Sequence, residues 1–176
     1  TSPLVIGDLA FSDSGLRTLE LPARASAIGN EVFAGSSLRD ITFENGSQLS
    51  SIGNRVFEGT DVREIALPEG LVSIGDSTFE GTDVVRVTIP ASLKTMGINT
   101  FRQCMSLEEV IFAQNAQLEA LPAGTFSGSS ITSVTIPASV ISIQNKEYGS
   151  FTSNGVFEFC TSLSSVSFAS NGRLTE

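Results

Sequence analysis

Three observations predict a right-handed repeat solenoid, mostly of parallel β-strands, with short helical or 3₁₀ turns and no long helices. A phenylalanine recurs at gaps of 22 to 25 residues, widening to 31 at the last step. An Ile-Gly pair lies shortly before four of the recurring phenylalanines, and an aliphatic run follows every one of the seven. The column contains Phe11, Phe33, Phe57, Phe79, Phe101, Phe126 and Phe157. Such self-similarity predicts stacked units, each of which needs a neighbour to bury its apolar face.

Each unit begins with a predicted strand. The strand starts fall near residues 16, 38, 62, 84, 107, 131 and 163. The aliphatic triplets there are Leu16-Leu19-Leu21, Leu38-Ile41-Phe43, Val62-Ile65-Leu67, Val84-Val87-Ile89, Leu107-Val110-Phe112, Ile131-Val134-Ile136 and Leu163-Val166-Phe168. The last two members of each triplet alternate with polar residues, which is typical of a strand with one buried face.

Two kinds of turn follow these strands. Four units place a proline directly behind the strand, at Pro22, Pro68, Pro90 and Pro137. The other three have a loop two residues longer, at 43–49, 112–118 and 168–174. Each longer loop contains an asparagine followed by Gly or Ala, and Asn and Gly tolerate the left-handed geometry of a tight bend.

The back half of each unit contains the inward Ile, the glycine and the inward Phe. The glycine column contains Gly7, Gly29, Gly53, Gly75 and Gly97. This column indicates either a positive φ or close packing of adjacent coils. Only one helical turn fits between that glycine and the next strand, and parallel strands joined by such crossovers wind right-handed.

The repeat resembles the BspA-like leucine-rich repeat family. The pattern is Leu-x-x-Val-x-Ile-Pro, then x-x-Ile-Gly-x-x-x-Phe, then Gly or Cys and Ser-Leu, and it extends from Ile6 to Leu174. The resemblance implies a leucine-rich-repeat horseshoe. It also implies a surface-exposed or secreted protein of a bacterium or microbial eukaryote, with a role in adhesion or other protein binding.

We expect one domain, a single leucine-rich-repeat array over residues 1–176. Ile6, Gly7 and Phe11 form the back half of a unit without its front, and residues 163–174 form a front without its back. We therefore expect a fragment truncated mid-repeat at both ends. The first residues show no signal peptide, and no apolar run is long enough to span a bilayer.

Composition and charge exclude several function classes. The net charge is −9, whereas binding to nucleic acid requires clustered Lys and Arg, and an anionic membrane repels such a chain. Histidine is absent, which removes the usual general base and the commonest zinc ligand. No nucleotide-binding glycine motif is present. We expect no enzymatic activity, no cofactor and no metal.

The two cysteines, Cys104 and Cys160, occupy the third position after a column phenylalanine, two repeats apart. Stacked strands rise about 4.8 Å per coil, which places these residues about 10 Å apart. A disulfide needs Cα atoms within about 7 Å. We therefore expect two free thiols along the inner spine.

Stacked carboxylates form two columns, Glu58 with Glu80 and Asp61 with Asp83. Positions one repeat apart lie about 5 Å from each other, so the columns are compatible with a divalent cation. They are equally compatible with solvated residues on a convex edge, which is the interpretation we favour.

The outward residues of the strands form the concave face, where repeat solenoids commonly bind partners. Arg39, Arg63 and Arg86 lie beside Asp40 and Glu64 on this face, and they either contact a partner or neutralise one another. The predicted partner-binding residues on this face are Asp40, Thr42, Glu64, Arg86, Thr88 and Glu109.

An insertion of nine residues falls at about 144–156. It contains Tyr148, the only tyrosine, and Phe151. Insertions in solenoids map to loops on one face, often the binding face, so these two residues join the predicted contact set. A neutral surface loop is the alternative.

The sequence therefore predicts a non-catalytic module of a cell-surface or secreted adhesion protein. It would bind a protein or glycan on another cell or in the matrix. The alternative is a structural spacer array that presents another domain and has no ligand of its own.

Overall fold

A computed structural model of the chain describes residues 2–145 and 154–170. The β-strands of this part alternate between two rows, and all of their pairings are parallel. The back row contains β1 (Leu4–Ile6), β3 (Ala25–Ile28), β5 (Ser51–Ile52), β7 (Ser73–Ile74), β9 (Thr95–Met96), β11 (Ala120–Leu121) and β13 (Ser142–Ile143). The front row contains β2 (Thr18–Leu21), β4 (Asp40–Phe43), β6 (Glu64–Ala66), β8 (Arg86–Ile89), β10 (Glu109–Phe112), β12 (Ser133–Ile136) and β14 (Ser165–Phe168). The predicted parallel-strand solenoid is confirmed.

Successive coils stack in register, so each repeat position faces its counterpart. Leu19 lies opposite Ile41 in the pair β2–β4, and Val134 lies opposite Val166 in the pair β12–β14. The first aliphatic residue of each triplet lies two residues ahead of the strand. Leu38 and Leu107, for example, are fully buried although they precede β4 and β10.

The back row is a second sheet that the sequence pattern does not reveal. It forms because the glycine N–H groups bond to the preceding coil: Gly29 to the Ile6 carbonyl at 2.8 Å and Gly53 to the Ile28 carbonyl at 2.9 Å. The predicted 3₁₀ turns contain isolated hydrogen bonds between residues three apart, such as the one from the Ser36 N–H to the Phe33 carbonyl at 3.0 Å. None of the described residues forms a helix, and thus none forms a helix that could cross a membrane.

The phenylalanine column forms the centre of the core. Its fully buried members are Phe33, Phe57, Phe79, Phe101 and Phe126. Neighbouring rings stack with centroids 5.0 to 5.8 Å apart and interplanar angles of 6° to 14°. Because each ring contacts the coils above and below, the apolar burial that stabilises the fold lies between repeats.

The glycine column exists because adjacent coils approach closely. A Cβ on Gly75 would lie 2.6 Å from the Gly53 carbonyl carbon and 2.7 Å from the Asn54 nitrogen. The left-handed residues lie instead two places before and two places after each column phenylalanine from Phe11 to Phe126, as at Arg55 (φ 54°) and Gly59 (φ 65°). Of the two explanations that the sequence leaves open, close packing is the correct one for Gly29, Gly53, Gly75 and Gly97.

A ladder of Asn and Asp side chains also links the coils. The residue after four of the five column glycines accepts the main-chain N–H of its counterpart in the next coil. Asn30 Oδ1 accepts from Asn54 at 2.9 Å, and Asn54 Oδ1 accepts from Asp76 at 2.8 Å. Asp8 and Asp76 make equivalent bonds. The ladder satisfies main-chain donors that the two-residue strands leave unpaired.

Both rows are interrupted. The front row divides between β4 and β6 and again between β10 and β12. Each break follows a coil with the longer loop and precedes a coil with a proline turn, at Pro68 and Pro137. The back row divides between β9 and β11, where Pro122 replaces the column glycine and has no N–H to donate.

The predicted insertion lies between β13, which ends at Ile143, and Asn154, which occupies the ladder position of the last coil. Residues 146–153 lie outside the described part of the chain, and Tyr148 and Phe151 are among them.

Candidate functional site

The concave face consists of the outward side chains of the front row. Register places Glu64 opposite Arg86, and Arg86 opposite Glu109, on strands β6, β8 and β10. Asp40 occupies the same position on β4, and Thr42 and Thr88 occupy the position two residues further along. Asp40, Thr42, Glu64 and Arg86 are exposed, whereas Thr88 and Glu109 are half-buried.

A shallow groove of about 740 Å³ crosses this face at the break between β4 and β6; we call it the first groove. It is lined by residues 40–47, 64–69, Arg86 and Thr88. Its lining includes the longer loop after β4 and the proline turn at Pro68. Five of the predicted contact residues therefore lie together: Asp40, Thr42, Glu64, Arg86 and Thr88.

A second groove of about 720 Å³ lies at the break between β10 and β12. It is lined by residues 109–116, 133–135, 137–139 and 169–170. Glu109, the sixth predicted residue, belongs to this groove rather than to the first one. The longer loop after β10 lines this groove, as the longer loop after β4 lines the first one.

The sequence leaves open whether the arginines of this face pair with Asp40 and Glu64. In the structure the arginines that form ion pairs have other partners. Arg86 pairs with Glu109, across the boundary between the grooves. Arg39 pairs with Asp61 on the rim at 3.3 Å. Asp40 and Glu64 form no ion pair with any described residue. The floor of the first groove thus presents two uncompensated carboxylates.

Two further carboxylates of the first groove, Glu44 and Glu69, are absent from the set predicted from the sequence. Glu44 lies in the longer loop, where its carboxylate accepts the Ala23 N–H at 2.8 Å. Strand alternation cannot identify loop residues as part of the face. The alternation of long and short turns is the signal that would have located them.

Three of the four carboxylates in the stacked acidic columns lie beside arginines, and Asp61 is the one that pairs with Arg39. Glu80 pairs with Arg102 at 2.6 Å, and Glu58 lies 3.7 Å from Arg55. Burial raises the pKa of Glu58; Arg55 opposes this shift, and the nearby carboxylates of Glu80 and Glu31 add to it. Within the described ranges, no group of three or more acidic or thiol side chains is arranged to hold a metal ion.

Both cysteines are free. Cys104 is fully buried, and its Sγ donates to the Phe79 carbonyl at 3.0 Å. Burial raises the pKa of the Cys104 thiol to about 12, and hydrogen bonds with Thr82 only partly oppose this shift. The Cys160 thiol makes the equivalent bond to the Phe126 carbonyl at 2.9 Å. A thiol with so high a pKa is a poor nucleophile, so Cys104 has a packing role.

One protein family matches most of the chain. The sequence model described as BspA type leucine rich repeat region aligns with residues 3–48 and 27–154, in six copies. None of the curated proteins matches the chain significantly.

Solved bacterial structures share the fold. A leucine-rich repeat protein from Bacteroides ovatus is 24% identical with a TM-score of 0.68, over 94% of this chain and 47% of that protein. The T. pallidum leucine rich repeat protein TpLRR is 22% identical with a TM-score of 0.64, over 93% and 62%. The pneumococcal vaccine antigen PcpA is 23% identical with a TM-score of 0.58, over 86% and 30%. This chain therefore spans less than two thirds of the length of each of these proteins.

Proposed function

The chain belongs to the BspA-type leucine-rich repeat family, and on that premise we propose that it is a non-catalytic binding module of a cell-surface or secreted adhesion protein. Its partner is a protein or a glycan on another cell or in the matrix. The family supports a binding or scaffold role, and the likeness to a pneumococcal antigen supports a location at the surface.

One observation carries the proposal: Asp40 and Glu64 are exposed on the floor of the first groove, and neither forms an ion pair with a residue that the structure describes. Arg86, the cation of this groove, already pairs with Glu109. The lining of this groove therefore carries four acidic residues, Asp40, Glu44, Glu64 and Glu69, and one arginine that is already paired. Complementary charge gives an interface specificity and a fast association rate. The first groove thus favours a protein segment that carries Lys or Arg over an acidic glycan.

The second groove supplies a contact of different chemistry. It carries Glu109 as a charged residue and is otherwise lined by amide, hydroxyl and apolar groups. Ile111 is 40% exposed there and Phe112 is half-buried, which provides apolar area for a partner. The two grooves together favour an extended segment with a basic end and a neutral or apolar end.

Binding assays on matched variants distinguish this role from that of a spacer. The chain would be tested on arrays of Lys/Arg-bearing peptides, neutral peptides, and neutral and acidic glycans. Glu64→Lys reverses one charge on the floor of the first groove, and Glu119→Lys makes the same change at an exposed position outside both grooves.

We expect the chain to retain basic peptides, Glu64→Lys to lose them, and Glu119→Lys to bind as the unmodified chain does. If no probe is retained, the spacer alternative is supported instead. If both variants retain basic peptides equally, the first groove is not the binding site. Far-UV circular dichroism confirms that each variant is folded.

A further inference from the structure

Two described Asn-Gly pairs have the same sequence but opposite environments. Asn45-Gly46 lies in the longer loop after β4 and forms part of the wall of the first groove. Asn154-Gly155 lies where the chain rejoins the stack after the insertion. The structure therefore distinguishes between two sites that the sequence alone makes equivalent.

The Asn45 side-chain amide and the neighbouring Gly46 nitrogen are both accessible to solvent. Both Asn45 and Gly46 are exposed, and no described residue hydrogen-bonds to the Asn45 side chain or to the Gly46 N–H. Ser47 N–H bonds to the Glu44 carbonyl at 3.1 Å, which closes the turn around the pair. Gly46 has a φ of 77° and no side chain to shield its nitrogen.

The corresponding atoms of the second pair, the Asn154 side-chain amide and the Gly155 N–H, are hydrogen-bonded. Its side chain is buried, and its Nδ2 donates to Asn99 Oδ1 at 2.7 Å. The Gly155 N–H donates to a Glu158 carboxylate oxygen at 3.2 Å. The Asn154 carbonyl in turn accepts the Gly124 N–H at 3.1 Å. A reaction that joins the Asn154 side chain to the Gly155 nitrogen must break the bond from Asn154 Nδ2 to Asn99 and the bond from the Gly155 N–H to Glu158.

We propose that Asn45 is a site of spontaneous deamidation in the folded protein and that Asn154 is protected from it. The Gly46 nitrogen loses its proton and attacks the Asn45 Cγ; the new C–N bond closes a succinimide, and the side-chain nitrogen leaves as ammonia. Water then adds to either succinimide carbonyl, which gives an aspartyl or an isoaspartyl residue. Water is the only co-reactant, and nothing is oxidised or reduced.

The product changes the first groove. An aspartyl residue adds a fifth carboxylate beside Asp40, Glu44, Glu64 and Glu69. An isoaspartyl residue also lengthens the main chain inside the turn that the Ser47–Glu44 bond closes. The modification itself does not depend on the proposed function, whereas its effect on a bound basic segment does.

Peptide mapping by mass spectrometry during incubation at mildly alkaline pH tests the proposal. Folded protein and protein unfolded in urea are sampled in parallel, and isoaspartyl product is separated by chromatography. We expect the Asn45 peptide to lose its amide in both samples. The Asn154 peptide should keep its amide in the folded sample and lose it in urea. The peptide with Asn171-Gly172, outside the described residues, is followed separately.

If folded Asn45 keeps its amide while the urea sample converts, the turn protects the site and the proposal is wrong. It is equally wrong if Asn45 and Asn154 convert at the same rate in the folded chain. Asn45→Gln, which cannot form the five-membered ring, should stay unmodified. Asn45→Asp reproduces the main charge change, and tighter retention of basic peptides by this variant supports the effect on the groove. Unchanged retention would refute that effect and leave the deamidation result intact.

Discussion

At the scale of single residues, the phenylalanine column decides stability. Phe79 is fully buried, and its ring stacks on Phe57 at 5.0 Å and on Phe101 at 5.1 Å. Phe11 contacts only Phe33 within the column and is 39% exposed. The sequence predicts this difference, because a recurring aromatic position in a stack has two neighbours in the middle and one at the edge.

The Phe79→Ala variant should lose about 3–5 kcal/mol of unfolding free energy, because it leaves a cavity between two coils. Phe11→Ala serves as its matched control and should lose clearly less. Urea denaturation followed by circular dichroism measures both. Equal losses would show that the column is not a continuous buried stack.

The Cys104 thiol predicts a pH dependence. Its pKa of about 12 in the fold exceeds the ordinary value of 9.0, so the folded state disfavours the thiolate. The stabilisation linked to this thiol is complete below pH 9.0 and is lost as the pH rises from there toward about 12.

Cys104→Thr provides the test, since Thr82 occupies the same repeat position and keeps a hydroxyl bond to the Phe79 carbonyl at 2.9 Å. Urea midpoints measured between pH 9 and pH 11 should fall less steeply for this variant than for the unmodified chain. Parallel pH profiles would show that the thiol titrates normally.

At the scale of elements, the sequence predicts the front strands and not the back ones. Front strands carry a period-two pattern of three or four residues, as in Ser133–Ile136 with alternating exposed and buried side chains. Several back strands, such as Ser51–Ile52, have only two residues, which is too short for a periodicity to show. The signal for the back sheet lies instead in the glycine column and in the Asn or Asp that follows four of its five members.

Because the coils of the back sheet are in close contact, two glycine-to-alanine variants should differ in stability. Gly75→Ala would place a Cβ 2.4 Å from Asn54 Oδ1 and 2.6 Å from the Gly53 carbonyl carbon, so it should destabilise the fold by about 1–3 kcal/mol. Gly7→Ala has no atom within 4 Å of the added Cβ and should be nearly neutral. Thermal unfolding of the two variants decides; similar melting temperatures would mean that the coils are not closely packed at Gly75.

At the scale of the whole molecule, the in-register stack creates the candidate site. Sequence position alone places Asp40, Glu64 and Arg86 on one face, because each is the first outward residue of its strand. It could not assign the ion pairs, since Arg86 has carboxylates on both neighbouring strands and pairs with Glu109. It also could not place the grooves, which depend on where long and short turns meet.

The stack is the central claim, and contacts between aromatic rings measure it most directly. Nuclear Overhauser spectroscopy on phenylalanine-labelled protein should show cross-peaks between the rings of Phe57 and Phe79 and between those of Phe79 and Phe101. The rings of Phe57 and Phe101, which lie on either side of Phe79, should show none. Absence of the two predicted contacts, or a direct contact between Phe57 and Phe101, would contradict a solenoid whose coils lie in register.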